Sequence, residues 1–182
     1  DTFDLKYKSE PDYLLVESLY GGQIHPDRDE SAQELYRLIT ETIENRGNVF
    51  IPCFAVQRTQ EVLNDIKNAK DSNEMDLKIP FWLDSPLAQR VTNIYTKALQ
   101  TTERDLFNFD NLIYVQKASQ SASITNRSGN VIMAGSGMAD GGRIQSHLLK
   151  GLQNSRNAVV FVGFQAEGTL GRLLIEGAKR VI

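Results

Sequence analysis

A chain of 182 residues with 41% hydrophobic residues is large enough to bury one self-sufficient core, and its net charge of −3 argues against indiscriminate binding to a polyanion. No apolar run reaches the ~20 residues a transmembrane helix needs, and the start, Asp1-Thr2-Phe3-Asp4, has no signal-peptide pattern, so no membrane partner and a cytoplasmic protein are expected. One cysteine, Cys53, excludes an internal disulfide and a cysteine zinc cluster and is read as a small buried hydrophobe. The two histidines, His25 and His147, are too far apart in sequence to suggest a catalytic zinc site within the chain, so no metal ligands are expected.

Short apolar or β-branched runs recur along the chain. Residues 13–16, 49–51, 81–83, 112–115, 131–134 and 158–162 read as strands. Between the first two, residues 31–45 place Ala32, Leu35, Leu38, Ile39, Thr42 and Ile43 at helical spacing; Val62, Leu63 and Ile66 do the same after the second. Residues 68–76 read as a polar loop, and residues 119–130 are rich in Ser and Asn. Near-continuous apolar strands alternating with helices predict an α/β fold, a doubly wound and mainly parallel sheet with helices on both faces, because each parallel crossover needs a long connection.

Ligands of such sheets bind beyond the carboxyl ends of the strands, so the turns there carry the functional candidates. The strongest is Ala134-Gly135-Ser136-Gly137-Met138-Ala139-Asp140-Gly141-Gly142-Arg143. Its glycines let backbone N–H groups approach an anion, and the following helix adds a favourable dipole. Arg143 and His147, four residues apart, share a helical face from which both could reach phosphate oxygens; tight turns and close packing are the structural alternative. In the turn from Gly163 to Arg172, Gln165 is a further candidate, Thr169 reads as an N-cap, Arg172 as a cation awaiting an anion or an acidic partner, and Gly177 as the helix stop. Asp84-Ser85-Pro86 is explained as a helix start, with Ser85 the cap and Pro86 the first helical residue. Glu17 is placed at the end of the first strand. Arg58, with Gln60 and Glu61, forms a polar cluster that could cap a helix or contact nucleic acid.

Charge is unevenly spread. Through Asp76 there are 8 Lys and Arg against 16 Asp and Glu; from Leu77 onward there are 12 against 7. A phosphate-facing surface therefore belongs in the second part, unless both sets are merely solvated faces.

Taken together, these turns resemble the β-CASP family of metallo-β-lactamase-fold nucleases, in the form closest to the cleavage-and-polyadenylation-factor-like RNA enzymes. Glu17-Ser18-Leu19-Tyr20-Gly21 with His25 is similar to the family's E-S-T-Y-G…H, and residues 51–61 to its P-A-F-A-V-G-R-x-Q-E. Asp84-Ser85-Pro86-Leu87-Ala88 is similar to D-S-P-M-A, residues 135–143 to S-S-G-M-x-x-G-G-R, and residues 163–172 to G-Y-Q-x-x-G-T-L-G-R. Leu19, Gln23, Gln57 and Gly135 depart from the pattern, Gln23 alone removing a charge. The resemblance implies that residues 1–18 end one metallo-β-lactamase part, 19–177 form the β-CASP domain, and 178–182 begin the return.

The resemblance further implies an RNA-binding cap of a zinc-dependent ribonuclease, a hydrolase inactive as the chain given, with zinc present only in the intact enzyme. A noncatalytic RNA-binding paralogue and a DNA-directed nuclease are the alternatives. Glu17 would be the catalytic acidic motif, orienting a histidine of the missing part; Asp1 and Asp4 are weaker candidates for a bridging aspartate. Arg58, Ser136, Gly137, Met138, Gly141, Gly142, Arg143, His147, Gln165, Thr169 and Arg172 would hold RNA phosphates. Expected partners are single-stranded RNA and the metallo-β-lactamase part of the same chain, with a homodimer left open.

Overall fold

The computed structural model describes residues 12–74, 78–99 and 106–181, so Asp1 and Asp4 lie outside the described residues. In chain order the elements are α1 (Arg28–Glu44), β1 (Val49–Pro52), α2 (Arg58–Asp71), β2 (Phe81–Leu83), α3 (Pro86–Ala98) and β3 (Leu112–Tyr114). There follow α4 (Ala118–Ile124), β4 (Val131–Ala134), α5 (Arg143–Gly151), β5 (Ala158–Val159) and α6 (Leu170–Ile175). The strands form one sheet in the order β3-β2-β4-β1-β5, and every pairing is parallel. The doubly wound α/β expectation therefore holds.

Alternation along the central strands builds two cores. Val49, Ile51, Cys53, Val131 and Met133 face one side, where Leu35 and Ile39 of α1, Leu63 and Ile66 of α2 and Ala88 of α3 cover them. Phe50, Ile132 and Ala134 face the other, against Ile124 of α4 and Ile144 and Leu148 of α5. The fit is close at α5: a Cβ on Gly151 would come within 2.3 Å of the Phe50 ring, so only glycine lets this helix sit on the sheet. Cys53 is buried as expected, and burial pushes its thiol up to about 12.

This winding fixes where ligands can enter. The helices after β1 and β2 lie on one face and the helix after β4 on the other, while β4 is the neighbour of both strands. Chain direction therefore diverges on either side of β4, which puts the crevice of the sheet at that strand's carboxyl end.

Three expectations need correction. Residues 13–16 are not a strand: Tyr13, Leu14, Leu15 and Val16 are 64–93% exposed and pair with nothing among the described residues. Their β-branched, apolar character suits a ladder, but a strand exists only against a neighbour, and neither sheet edge takes them. Second, α2 runs to Asp71, so residues 68–71 are helical rather than loop. They continue the apolar stripe with buried Ala69, while the Lys70 ammonium lies 5.2 Å from the centre of the Phe81 ring. Third, α1 starts three residues before the predicted Ser31, because the Asp27 carboxylate accepts from the N–H groups of Asp29 and Glu30. No helix of the described residues is long and apolar enough to cross a membrane.

Candidate nucleic-acid interface

At the carboxyl end of β2, Asp84 is fully buried, and three side chains from two helices converge on its carboxylate. Arg143 Nη1, from the first residue of α5, donates to Oδ1 at 2.5 Å; Ser121 Oγ, from α4, donates to Oδ2 at 2.5 Å; His147 Nε2, one turn further along α5, lies 2.7 Å from Oδ2. Burial opposes ionisation of Asp84, but the hydrogen bonds from His147, Ser121 and Arg143 outweigh it and hold the carboxyl below the usual aspartate range. A buried carboxylate costs several kcal/mol unless it is fully hydrogen-bonded, and this one is. Ser85 and Pro86 have the roles predicted for them: Ser85 Oγ accepts from the Ala88 N–H, and Pro86 begins α3.

The sequence thus brings Arg143 and His147 together on one face, but around a carboxylate rather than toward solvent. His147 is 2% exposed, with its ring stacked 6.5 Å from Phe50. Arg143 differs: its side chain is 30% exposed, and Nε and Nη2 have no protein partner among the described residues. Asp84 and Ser121 are the site residues that sequence reasoning missed.

The glycine-rich turn is folded on itself. The Ser136 N–H donates to the Gly141 carbonyl, the Ile144 N–H to that of Gly135, and the Gly135–Ser136 peptide is cis. Gly142 has φ +73°, and a Cβ there would stand 2.3 Å from the Gly135 oxygen, so the turn requires glycine twice over. Gly137 lies under the Phe54 ring, Met138 accepts from the Gly171 N–H, and Gly141 faces open space. Ser136 Oγ is buried with no partner among the described residues. Gln165 is also buried; its amide donates to the carbonyls of Gly137, Gly163 and Phe164, which ties the turn after β5 to the turn after β4.

Around this centre the remaining candidates are more exposed. Arg58, first in α2, pairs with Glu61 at 2.7 Å, while Gln60 is buried and donates to Thr92 instead of joining them. Thr169 caps α6, its hydroxyl accepting from the Arg172 N–H, and Asp140 accepts from the Leu170 N–H, so acceptors already answer that helix end. Arg172 pairs with Glu176 at 2.6 Å, the acidic partner foreseen for it, and Gly177 at φ +78° ends the helix. Glu17 stands in an exposed stretch, its carboxylate accepting from the Leu19 N–H at 2.6 Å rather than ending a strand. Tyr20 packs on His25 at 4.5 Å and edge-on to Phe164 at 6.3 Å, placing that loop beside the turn after β5.

The family resemblance implies zinc, and the described residues do not fit it. No three of their His, Cys, Asp and Glu side chains stand together as a ligand set. Among the described residues Asp84 and His147 form the one close histidine–carboxylate pair, and Asp84 is already occupied by a hydroxyl and a guanidinium cation, the reverse of what a metal ion requires.

Comparison with known proteins agrees with this architecture. A Beta-Casp domain model matches residues 59–174. Ribonuclease TTHA0252 of Thermus thermophilus is 34% identical over 175 residues, covering 90% of this chain and 40% of that protein. The RNase J-like protein of Methanocaldococcus jannaschii is 37% identical over 179 residues, covering 94% and 42%, and the transcription termination factor FttA of a Lokiarchaeum species is 34% identical over 180, covering 91% and 28%. The chain therefore spans less than half the length of these relatives. With the family model matching most of an all-parallel, doubly wound sheet, the chain belongs to the β-CASP family.

Proposed function

We propose that this chain is the RNA-gripping cap of a zinc-dependent ribonuclease, and that residues outside those described hold the metal. Residues 19–177 form the cap in this reading, and residues 1–18 and 178–182 are its junctions with a metallo-β-lactamase part. The observation that carries it is the place of Arg143: a partly exposed guanidinium with donors unpaired among the described residues, beside a glycine-rich turn, at the crevice where chain direction diverges around β4. A planar guanidinium suits the two oxygens of a phosphodiester. The exposed Phe54 and Phe164 rings border the same turns and offer faces on which unpaired bases could stack, which favours a single strand over a duplex. The names of the relatives, ribonucleases among them, support RNA as the polymer. Glu17 serves as a positioning carboxylate for a group outside this chain, and the exposed apolar run at residues 13–16 is a surface the rest of a longer chain would cover.

The test is hydrolysis of an end-labelled single-stranded RNA. The intact protein should cut it and lose activity to a chelator, whereas residues 1–182 alone should neither cut RNA nor hold stoichiometric zinc. Cleavage by the isolated chain, or tight zinc in it, contradicts the reading.

A further inference from the structure

We infer that Asp84 is a positioning residue: its buried carboxylate holds one edge of the Arg143 guanidinium so that the free donors are presented to an RNA phosphate. The inference rests on the proposed role of Arg143 and adds what makes that role effective. An arginine at the first position of a helix is free to sample many rotamers, and ordering it on a ligand costs up to ~2 kcal/mol of side-chain entropy. Here that ordering precedes binding. Nη1 is fixed on Oδ1 at 2.5 Å, while Nε and Nη2 have no protein partner among the described residues and the side chain keeps 30% of its exposure.

The carboxylate cannot drift, because Ser121 from α4 and His147 from α5 hold its other oxygen and Asp84 directly follows β2, a strand paired on both sides. This separates Arg143 from the other arginines of the edge. Arg58 pairs with Glu61 and Arg172 with Glu176, each within one helix turn and with both partners at least one-third exposed, so those carboxylates move with their own helix surface and fix nothing. Asp84 also places one negative charge against the one positive charge of Arg143. The pair therefore offers oriented hydrogen bonds more than net attraction, which suits the singly charged diester within a strand.

The experiment is a double-mutant cycle in the intact protein, reading the affinity of a fluorescent single-stranded RNA with phosphorothioate linkages alongside thermal stability. Asp84→Asn is nearly isosteric but loses the charge that fixes the guanidinium, and it should weaken binding about tenfold when Arg143 is present. In an Arg143→Ala background the same change should cost less than about twofold, because there is nothing left to position. Equal losses in both backgrounds would show a general structural role and overturn the inference, as would wild-type affinity in Asp84→Asn. If Asp84→Asn does not fold, Arg143→Lys decides: it keeps the charge but not the fork, so its affinity should fall to within about threefold of Arg143→Ala, and wild-type affinity would refute positioning. Should Arg143→Ala itself leave RNA affinity unchanged, the phosphate reading of Arg143 fails first, before any question of Asp84.

Discussion

The turns after β4 and β5 each carry an arginine paired with a carboxylate at nearly the same distance, 2.5 Å for Arg143–Asp84 and 2.6 Å for Arg172–Glu176. Their surroundings are opposite. Asp84 is fully buried and held by three side chains from two helices, whereas Glu176 is half exposed and caps the short helix that carries its partner. An exposed pair gains little over hydration and is worth ~0–1 kcal/mol. A buried carboxylate has no water to return to, so losing its partners leaves an uncompensated charge that costs ~3–5 kcal/mol. The contact distance alone says nothing about which of the two organises the site; burial and the number of converging elements do.

The largest effect expected from this contrast is at Gly142. Alanine there would adopt a backbone conformation disfavoured for L side chains and drive a Cβ to 2.3 Å of the Gly135 oxygen. Gly142→Ala should lower unfolding stability by ~3 kcal/mol or more in urea titration. A loss below ~1 kcal/mol would mean the turn is adaptable and not a fixed platform for Arg143.

Acid comes next. The folded-state carboxyl of Asp84 is depressed relative to the unfolded chain, so its contribution is fully present above the ordinary aspartate value of ~3.9 and is lost as pH falls through the lower folded value. Stability measured from pH 6 down to about 2 should therefore fall more steeply for the natural protein than for Asp84→Asn. Parallel curves would show that the carboxyl is not held low. At the small end, Arg172→Ala should leave the urea midpoint essentially unchanged, since the exposed Glu176 carboxylate left behind is hydrated.

How much of this was legible in the sequence follows the same division between local and distant causes. The five paired strands announce themselves by local apolar composition, and the Ser85 and Thr169 caps by their own hydroxyls. Residues 13–16 carry the same composition as a strand and are not one, because pairing is a property of a neighbour and not of the run. Asp84 was hidden for the converse reason. Its next two residues explain a helix start completely, while the groups that give the aspartate its meaning lie 37, 59 and 63 residues away. The one available signal was an acidic residue closing an apolar strand in a chain that also offers Arg143 and His147 on a single helical face. Both members of that pair contact a carboxylate already in the molecule, that of Asp84.

The central claim is that Arg143 meets RNA from a held position at the crevice of the sheet, and the most direct measurement is RNA affinity across a salt series for the natural protein, Arg143→Ala and Arg172→Ala. A charged contact to phosphate is worth ~1.5–3 kcal/mol, so Arg143→Ala should weaken binding about ten- to a hundredfold and reduce the salt slope by about one. Arg172→Ala should weaken it by less than about threefold. Equal effects at the two arginines, or unchanged affinity and slope in Arg143→Ala, would contradict the account.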